Sequence, residues 1–129
     1  QIRNSYDNTI AYTDHILARL VQLLEDNAGQ RSAALLYVSD HGESTGENGM
    51  YLHGAPYMLA PDEQTKVPML LWTSGGFRQW RGLDADCASA QASAPISHDH
   101  FFHTVLGLLD LRTTAYRPEL DALAGCAPA

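Results

Sequence analysis

The sequence lacks the features that mark several large classes of protein. It has only two cysteines, Cys87 and Cys126, and no Cys-x-x-Cys pair of the kind that binds metals or carries out redox chemistry. No apolar run approaches the roughly 20 residues of a membrane-spanning helix. Eight Lys and Arg residues stand against fifteen Asp and Glu, which gives a formal net charge of −7. This acidity, without any basic cluster, argues against direct binding to nucleic acid.

The rest of the composition is that of an ordinary globular domain. The chain has 129 residues, of which 45% are hydrophobic and 18% charged, which is enough for one domain with a buried core and not for more. It begins at Gln1 with no initiator methionine, and we expect it to be part of a longer protein. Composition alone leaves a disulfide and two free thiols equally open.

Hydrophobic periodicity predicts two long helices. Apolar residues recur every three or four positions over residues 5–28, and Asn4 or Ser5 can serve as the N-cap. A second amphipathic stretch covers about 98–110 and follows Ser97, another good capping residue. Its inward face is predicted to carry four apolar side chains: Phe102, Val105, Leu106 and Leu109.

Two apolar runs predict buried strands, at about 33–39 and 67–72. The segment between them is rich in glycine and proline and is too long for a plain connection, so we expect a functional loop there. Ser74-Gly75-Gly76 is predicted to turn the chain, and 77–95 to be a surface excursion that can include a short helix. The tail, 111–129, is predicted to be irregular with one short helix. The fold class is therefore α/β, and two strands are too few for a complete sheet.

The end of the first predicted strand is the most informative part of the chain. The apolar run 33–38 ends abruptly in Asp40-His41-Gly42-Glu43, and His53 follows His41 after a glycine-rich stretch. Proteins of the α/β class keep their sites at the carboxyl ends of strands. Aspartate oxygen and histidine nitrogen are preferred ligands for zinc. The pattern predicts a metal site. The alternative is a turn capped by Asp40 beside a hydrogen-bonded histidine.

Several motifs in this order resemble one enzyme family, the phosphoethanolamine transferases. These lipid A-modifying enzymes include the mobile colistin-resistance proteins and belong to the alkaline phosphatase and sulfatase superfamily. The resemblance covers nearly the whole chain but only the C-terminal part of the family's catalytic domain. It rests on Tyr6-Asp7-Asn8-Thr9-Ile10, Ser39-Asp40-His41-Gly42-Glu43-Ser44, Gly46-Glu47-Asn48-Gly49, Tyr51-Leu52-His53-Gly54, Ala60-Pro61, Val67-Pro68-Met69-Leu70-Leu71-Trp72 and the 99–108 segment.

The resemblance implies a role for four residues. Asp40 and His41 would be zinc ligands. His53 would lie beside the zinc and bind the substrate or a second metal, and Glu43 would share the pocket or, on the plainer interpretation, stand in a solvated turn. The implied fold is an alkaline-phosphatase-like α/β/α sandwich, with residues 1–129 as the C-terminal part of its periplasmic, sulfatase-like catalytic domain.

The implied activity is zinc-dependent transfer of phosphoethanolamine from phosphatidylethanolamine to a lipid A phosphate, through a covalent enzyme intermediate, giving polymyxin resistance. The implied location is the periplasmic side of a bacterial inner membrane, reached through N-terminal helices. The family's nucleophilic threonine and a further glutamate ligand lie upstream and have no match here, so the chain alone is expected to be inactive. A periplasmic location also implies a disulfide between Cys87 and Cys126.

Three alternatives remain at this point. The parent protein could be another superfamily member, such as a phosphoglycerol transferase, a sulfatase or a phosphodiesterase. The chain could instead be a non-catalytic module that binds a metal or a partner. A second metal site is the less favoured interpretation of the three histidines near one helix start, which are His98, His100 and His103.

Overall fold

The computed structural model describes residues 1–128, except for the side chain of Gln30. The chain divides into two compact units. The first comprises Gln1–Gly29 and Ala34–Trp72, and the second comprises Gln30–Ala33 and Thr73–Ala129. Among the described residues, no helix combines the length and the apolar character that a membrane crossing requires.

Helix α1, Ile2–Asn27, opens the first unit. The prediction of a helix is confirmed, but the predicted caps are wrong because Asn4 and Ser5 lie inside the helix. No proline or glycine interrupts the chain before them, and Gln1 precedes the first turn without a side-chain capping bond. No residue of α1 is fully buried. Its half-buried face consists of Tyr6, Thr13, Leu17, Val21 and Leu24.

Strands β1, Ala34–Val38, and β4, Met69–Thr73, pair in a two-stranded sheet. Both correspond to predicted strands. Ser39 donates its backbone N–H to the Pro68 carbonyl oxygen at 3.3 Å. Pro68 is tolerated at the entry to β4 because it acts there as an acceptor and its missing N–H is not needed.

The loop between these strands contains regular secondary structure that the sequence did not predict. Strands β2, Ser44–Thr45, and β3, Tyr51–Leu52, form an antiparallel hairpin, and a short helix, α2, covers Asp62–Thr65. A 3₁₀ turn at Glu47–Gly49 connects β2 to β3. The Glu47 carboxylate accepts hydrogen bonds from the backbone N–H and the hydroxyl of Thr45, which fixes the tip of the hairpin.

The second unit contains helices α3, Gly75–Arg81, α4, Ala85–Gln91, and α5, Asp99–Leu108, followed by a 3₁₀ turn at Pro118–Leu120. The predicted turn at Ser74-Gly75-Gly76 is wrong. Ser74 is instead the N-cap of α3, because its hydroxyl oxygen accepts the Phe77 backbone N–H at 3.1 Å. The tail has the predicted single short helical turn.

The buried face of α5 differs from the prediction. Phe102 and Leu109 are exposed, whereas His103 and Thr104 are buried. The tail supplies partners for both polar side chains. Arg117 donates its backbone N–H to His103 Nδ1 at 3.1 Å, and Ala122 donates its own to Thr104 Oγ1 at 2.9 Å. Val105 and Leu106 of the predicted stripe are half-buried, so the inward face of α5 combines apolar side chains with two hydrogen-bonded polar ones.

A disulfide joins Cys87 in α4 to Cys126 in the tail, with their Cα atoms 5.4 Å apart. The expected pairing is confirmed. Asp84 reinforces the same junction by donating its backbone N–H to the Cys126 carbonyl oxygen at 2.8 Å. The tail is thus tied to α4 by one covalent bond and one hydrogen bond.

Candidate metal centre

His41 follows the end of β1, and one of its ring nitrogens makes a hydrogen bond within the protein. His41 Nδ1 lies 3.0 Å from the backbone oxygen of Gly42. A carbonyl oxygen can only accept a hydrogen bond, so Nδ1 carries the proton and Nε2 presents a lone pair. Metal-binding histidines are commonly held in this way, with one nitrogen on a backbone carbonyl and the other on the metal.

Asp40 stands beside that free nitrogen. Its Oδ1 accepts the backbone N–H of His41 at 3.1 Å, and its Oδ2 lies 3.8 Å from His41 Nε2. With zinc–ligand distances of about 2.0–2.2 Å, two atoms at this separation can share one ion. The Asp40 side chain is 90% exposed, and both of these contacts are with His41.

Glu43 and His53 complete a second group around His41. One candidate ligand atom from each of His41, Glu43 and His53 lies within 4.8 Å of the other two. Glu43 Oε1 accepts from His53 Nδ1 at 2.7 Å, and the rings of His41 and His53 lie 4.1 Å apart between centroids. Because Nδ1 of His53 donates to the carboxylate, its Nε2 is left for a metal or a substrate.

The β2–β3 hairpin explains why Glu43 and His53 meet. Ser44 pairs with Leu52 across the two strands. Glu43 immediately precedes Ser44, and His53 immediately follows Leu52, so the antiparallel pairing places the two ionisable side chains next to each other. Leu52 has a φ of +64°, a conformation that non-glycine residues rarely adopt. Backbone strain of this kind often accompanies functional sites.

One oxygen of Glu43 has no hydrogen-bond partner among the residues that the structure describes. Its side chain is 24% exposed, and Oε2 is buried without any hydrogen bond. A buried carboxylate oxygen is costly unless something compensates it. A cation would do so, and two imidazoles with a carboxylate suit a divalent metal such as zinc. The donor set present here therefore fits the metal that the resemblance implied.

Comparison with known proteins identifies the family of the chain. The sequence profile of the sulfatase family matches residues 1–111. The chain belongs to the sulfatase family. Phosphoethanolamine transferase EptA of Salmonella typhimurium is 45% identical over 127 residues, covering 98% of this chain and 23% of that protein. The sulfatase-family chain thus spans about a quarter of the length of this relative.

Two solved structures share the fold. The integral membrane lipooligosaccharide phosphoethanolamine transferase A from Neisseria meningitidis superposes with a TM-score of 0.91 at 47% identity, covering 99% of this chain and 24% of that one. The C-terminal periplasmic domain of phosphoethanolamine transferase EptC from Campylobacter jejuni gives 0.83 at 38%, covering 99% and 39%. The α/β class and the alkaline-phosphatase-like fold are confirmed, as is the resemblance to phosphoethanolamine transferases.

The structure brings all four predicted site residues into one region of the first unit. His41, Glu43 and His53 form the compact group, and Asp40 touches it only through His41. The histidines near the start of α5 behave differently: His103 Nδ1 accepts a tail N–H. Within residues 1–128, no second group of three potential metal ligands exists, so the alternative of a second site there has no support.

Sequence reasoning missed Ser44 and Gln64, two buried polar residues adjacent to the site. They hydrogen-bond to each other although they lie 20 residues apart. Neither periodicity nor motif spacing reports such a pair. The available signal was weak: a serine directly after the metal motif, and a glutamine before an apolar strand.

Proposed function

We propose that this chain is the C-terminal part of the catalytic domain of a phosphoethanolamine transferase. The enzyme would move phosphoethanolamine from phosphatidylethanolamine onto a phosphate of lipid A, and so reduce susceptibility to polymyxins. The observation that carries the proposal is the group formed by His41, Glu43 and His53 beside Asp40. Its place in a chain so similar to named phosphoethanolamine transferases supports this activity over others in the superfamily.

Zinc is the metal that we propose, with Asp40 and His41 as ligands. When bound, such an ion neutralises charge on phosphoryl oxygens and lowers the pKa of a coordinated hydroxyl group. Hydrogen bonds within the protein already orient both proposed ligands. The Gly42 carbonyl holds the His41 ring, and the His41 backbone N–H holds the Asp40 carboxylate.

His53 and Glu43 are proposed to act as a pair at the transferred group. The carboxylate accepts from Nδ1 of His53, which leaves Nε2 to contact the phosphoryl group or a second metal. Glu43 would therefore orient His53 toward the transferred group.

The remaining parts of the reaction are proposed to come from other segments of the same protein. These are the nucleophilic hydroxyl that would carry the covalent intermediate, a further carboxylate ligand, and the N-terminal helices in the inner membrane. The catalytic domain, including residues 1–129, would lie in the periplasm. The description of the Campylobacter jejuni domain as periplasmic and of the Neisseria meningitidis enzyme as integral to the membrane supports this placement.

The test is a transfer assay on the full-length protein with phosphatidylethanolamine as donor and lipid A as acceptor. His41→Ala should abolish transfer and lower the zinc content, because it removes the histidine common to both ligand groups. His15→Ala, at an exposed position on α1, is the matched control and should leave both unchanged. Full transfer by His41→Ala would refute the proposal. Hydrolysis of sulfate esters without phosphoethanolamine transfer would point to another member of the superfamily.

A further inference from the structure

Gln64 in α2 contacts the chain on both sides of Glu43. Its backbone oxygen accepts the N–H of Gly42 at 3.0 Å, and its side-chain amide donates to the Ser44 hydroxyl oxygen at 2.7 Å. Gly42 and Ser44 are the immediate neighbours of Glu43. A single residue from a different element thus fixes the backbone before the carboxylate and the side chain after it.

This contact is buried and closely packed. Gln64 is 7% exposed and Ser44 is 2% exposed, so their hydrogen bond is shielded from water. A Cβ atom on Gly42 would lie 1.9 Å from the backbone oxygen of Glu63. The backbone of α2 therefore lies directly against the site loop, at a position where only glycine fits.

The position of Glu43 matters because its two oxygens have different environments. Oε1 accepts from His53 at 2.7 Å, whereas Oε2 is buried without a protein partner. A partly satisfied buried carboxylate is costly, so the contacts that fix the chain on either side of it matter. The Gly42 N–H and the Ser44 hydroxyl both bond to Gln64, whereas the Gly42 carbonyl contacts His41 and Ser44 pairs with Leu52, which are both parts of the same site region.

We propose that Gln64 is a positioning residue for the metal centre: it holds Glu43 against His53 by fixing Gly42 and Ser44. The inference rests on the proposed function for the reaction that the centre serves. The side-chain amide of Gln64 is suited to the role because it supplies a donor to Ser44 without adding a charge beside Glu43.

The deciding variant is Gln64→Met in the full-length protein. Methionine keeps the length of the side chain and the backbone bond to Gly42 but removes the donor to Ser44. We expect zinc affinity, measured by chelator competition, to fall about tenfold, in the range found when groups that orient metal ligands are removed. The kcat for transfer should fall similarly while KM changes less than twofold.

Two further variants separate positioning from general destabilisation. Ser44→Ala removes the same hydrogen bond from its other end and should give the same two losses. If Gln64→Met fails to fold, Ser44→Ala tests the inference by itself. Gln22→Met is the matched control, since Gln22 donates an amide hydrogen bond to Asp26 on the exposed face of α1, and it should change neither quantity. The double variant, Gln64→Met with Ser44→Ala, should lose no more than the worse single variant.

Wild-type zinc affinity and kcat in both Gln64→Met and Ser44→Ala would overturn the inference, even if their melting temperatures fell. A wild-type protein that binds zinc but transfers no phosphoethanolamine would refute the proposed function instead. In that case the zinc affinities of the variants still decide the role of Gln64. A wild-type protein that binds no zinc would refute both.

Discussion

Nδ1 of His53 lies 2.7 Å from Oε1 of Glu43, although ten residues separate them in the chain. This contact joins the strand end that carries the metal motif to the far side of the β2–β3 hairpin. It gives each residue a distinct part: the carboxylate orients the ring, and the ring presents its other nitrogen to the site.

Replacing Glu43 should separate orientation from charge. Glu43→Ala removes the acceptor at His53 Nδ1 and should lower kcat about 10- to 100-fold, with weaker zinc binding. Glu43→Gln keeps an oxygen that can accept from Nδ1 but loses the charge, so it should retain more activity than Glu43→Ala. Steady-state kinetics and zinc content measure both effects. Equal activity of Glu43→Ala and the wild type would show that the pair has no part in the reaction.

Gly42→Ala should destabilise the fold. The added Cβ would overlap the Glu63 backbone oxygen, and the backbone cannot move as a flexible side chain would. We expect a loss of about 1–3 kcal/mol in the free energy of unfolding. Gly29→Ala is the control, because a Cβ there meets nothing within 4 Å, and it should stay within about 0.5 kcal/mol of the wild type. Denaturant unfolding of both variants compares them, and equal stability would contradict the packing described at α2.

Loss of the disulfide should weaken the second unit. The bridge closes a 39-residue separation, for which the chain-entropy relation gives a stabilisation of about 4 kcal/mol. Cys87→Ser with Cys126→Ser should lower the unfolding free energy by up to that amount. Mass spectrometry of non-reduced wild-type protein should find no free thiol at either position. Two free thiols there would refute the pairing.

Tyr116 should make stability fall at high pH. Burial, followed by its hydrogen bond to Asp121, raises the pKa of the Tyr116 phenol to about 12. Its ordinary value is about 10, so the neutral phenol stabilises the fold fully below pH 10, and the contribution disappears as the pH rises toward 12. We expect a loss of the order of 1 kcal/mol once solvent screening is allowed for.

The measurement is denaturant unfolding of the wild type and of Tyr116→Phe between pH 8 and pH 12. The variant lacks the titrating group and should lose less stability across this range. Tyr57→Phe, at an exposed phenol, should follow the wild type. Parallel curves for Tyr116→Phe and the wild type would show that the Tyr116 phenol does not control the alkaline loss.

The sequence predicted the elements whose formation depends on local pattern. The apolar runs at β1 and β4 identified both strands, and the amphipathic period identified α1 and the helical character of α5. The residue types at the end of β1 led to the prediction of a metal site, and the structure brings three possible ligands together there. Each of these signals lies within a short, continuous stretch of chain.

The features that the sequence did not predict depend on contacts between distant residues. The burial of His103 and Thr104 in α5 depends on N–H groups of the tail that bond to their side chains. The hairpin has only two residues in each strand, too few for a visible alternation, and it is fixed by Glu47 and by the bond between Gln64 and Ser44. The spacing of residue types along the sequence does not indicate such partners.

The two cross-strand pairs of the hairpin also limit how this segment can vary in length. A slip of one residue between β2 and β3 would carry His53 about 3.3 Å along its strand and turn its side chain to the opposite face. Its contact with Glu43 would then be lost. Substitutions between Thr45 and Tyr51 that keep the Glu47 contacts can leave the group of His41, Glu43 and His53 intact. An insertion or deletion that shifts the pairing of Ser44 with Leu52 would separate Glu43 from His53.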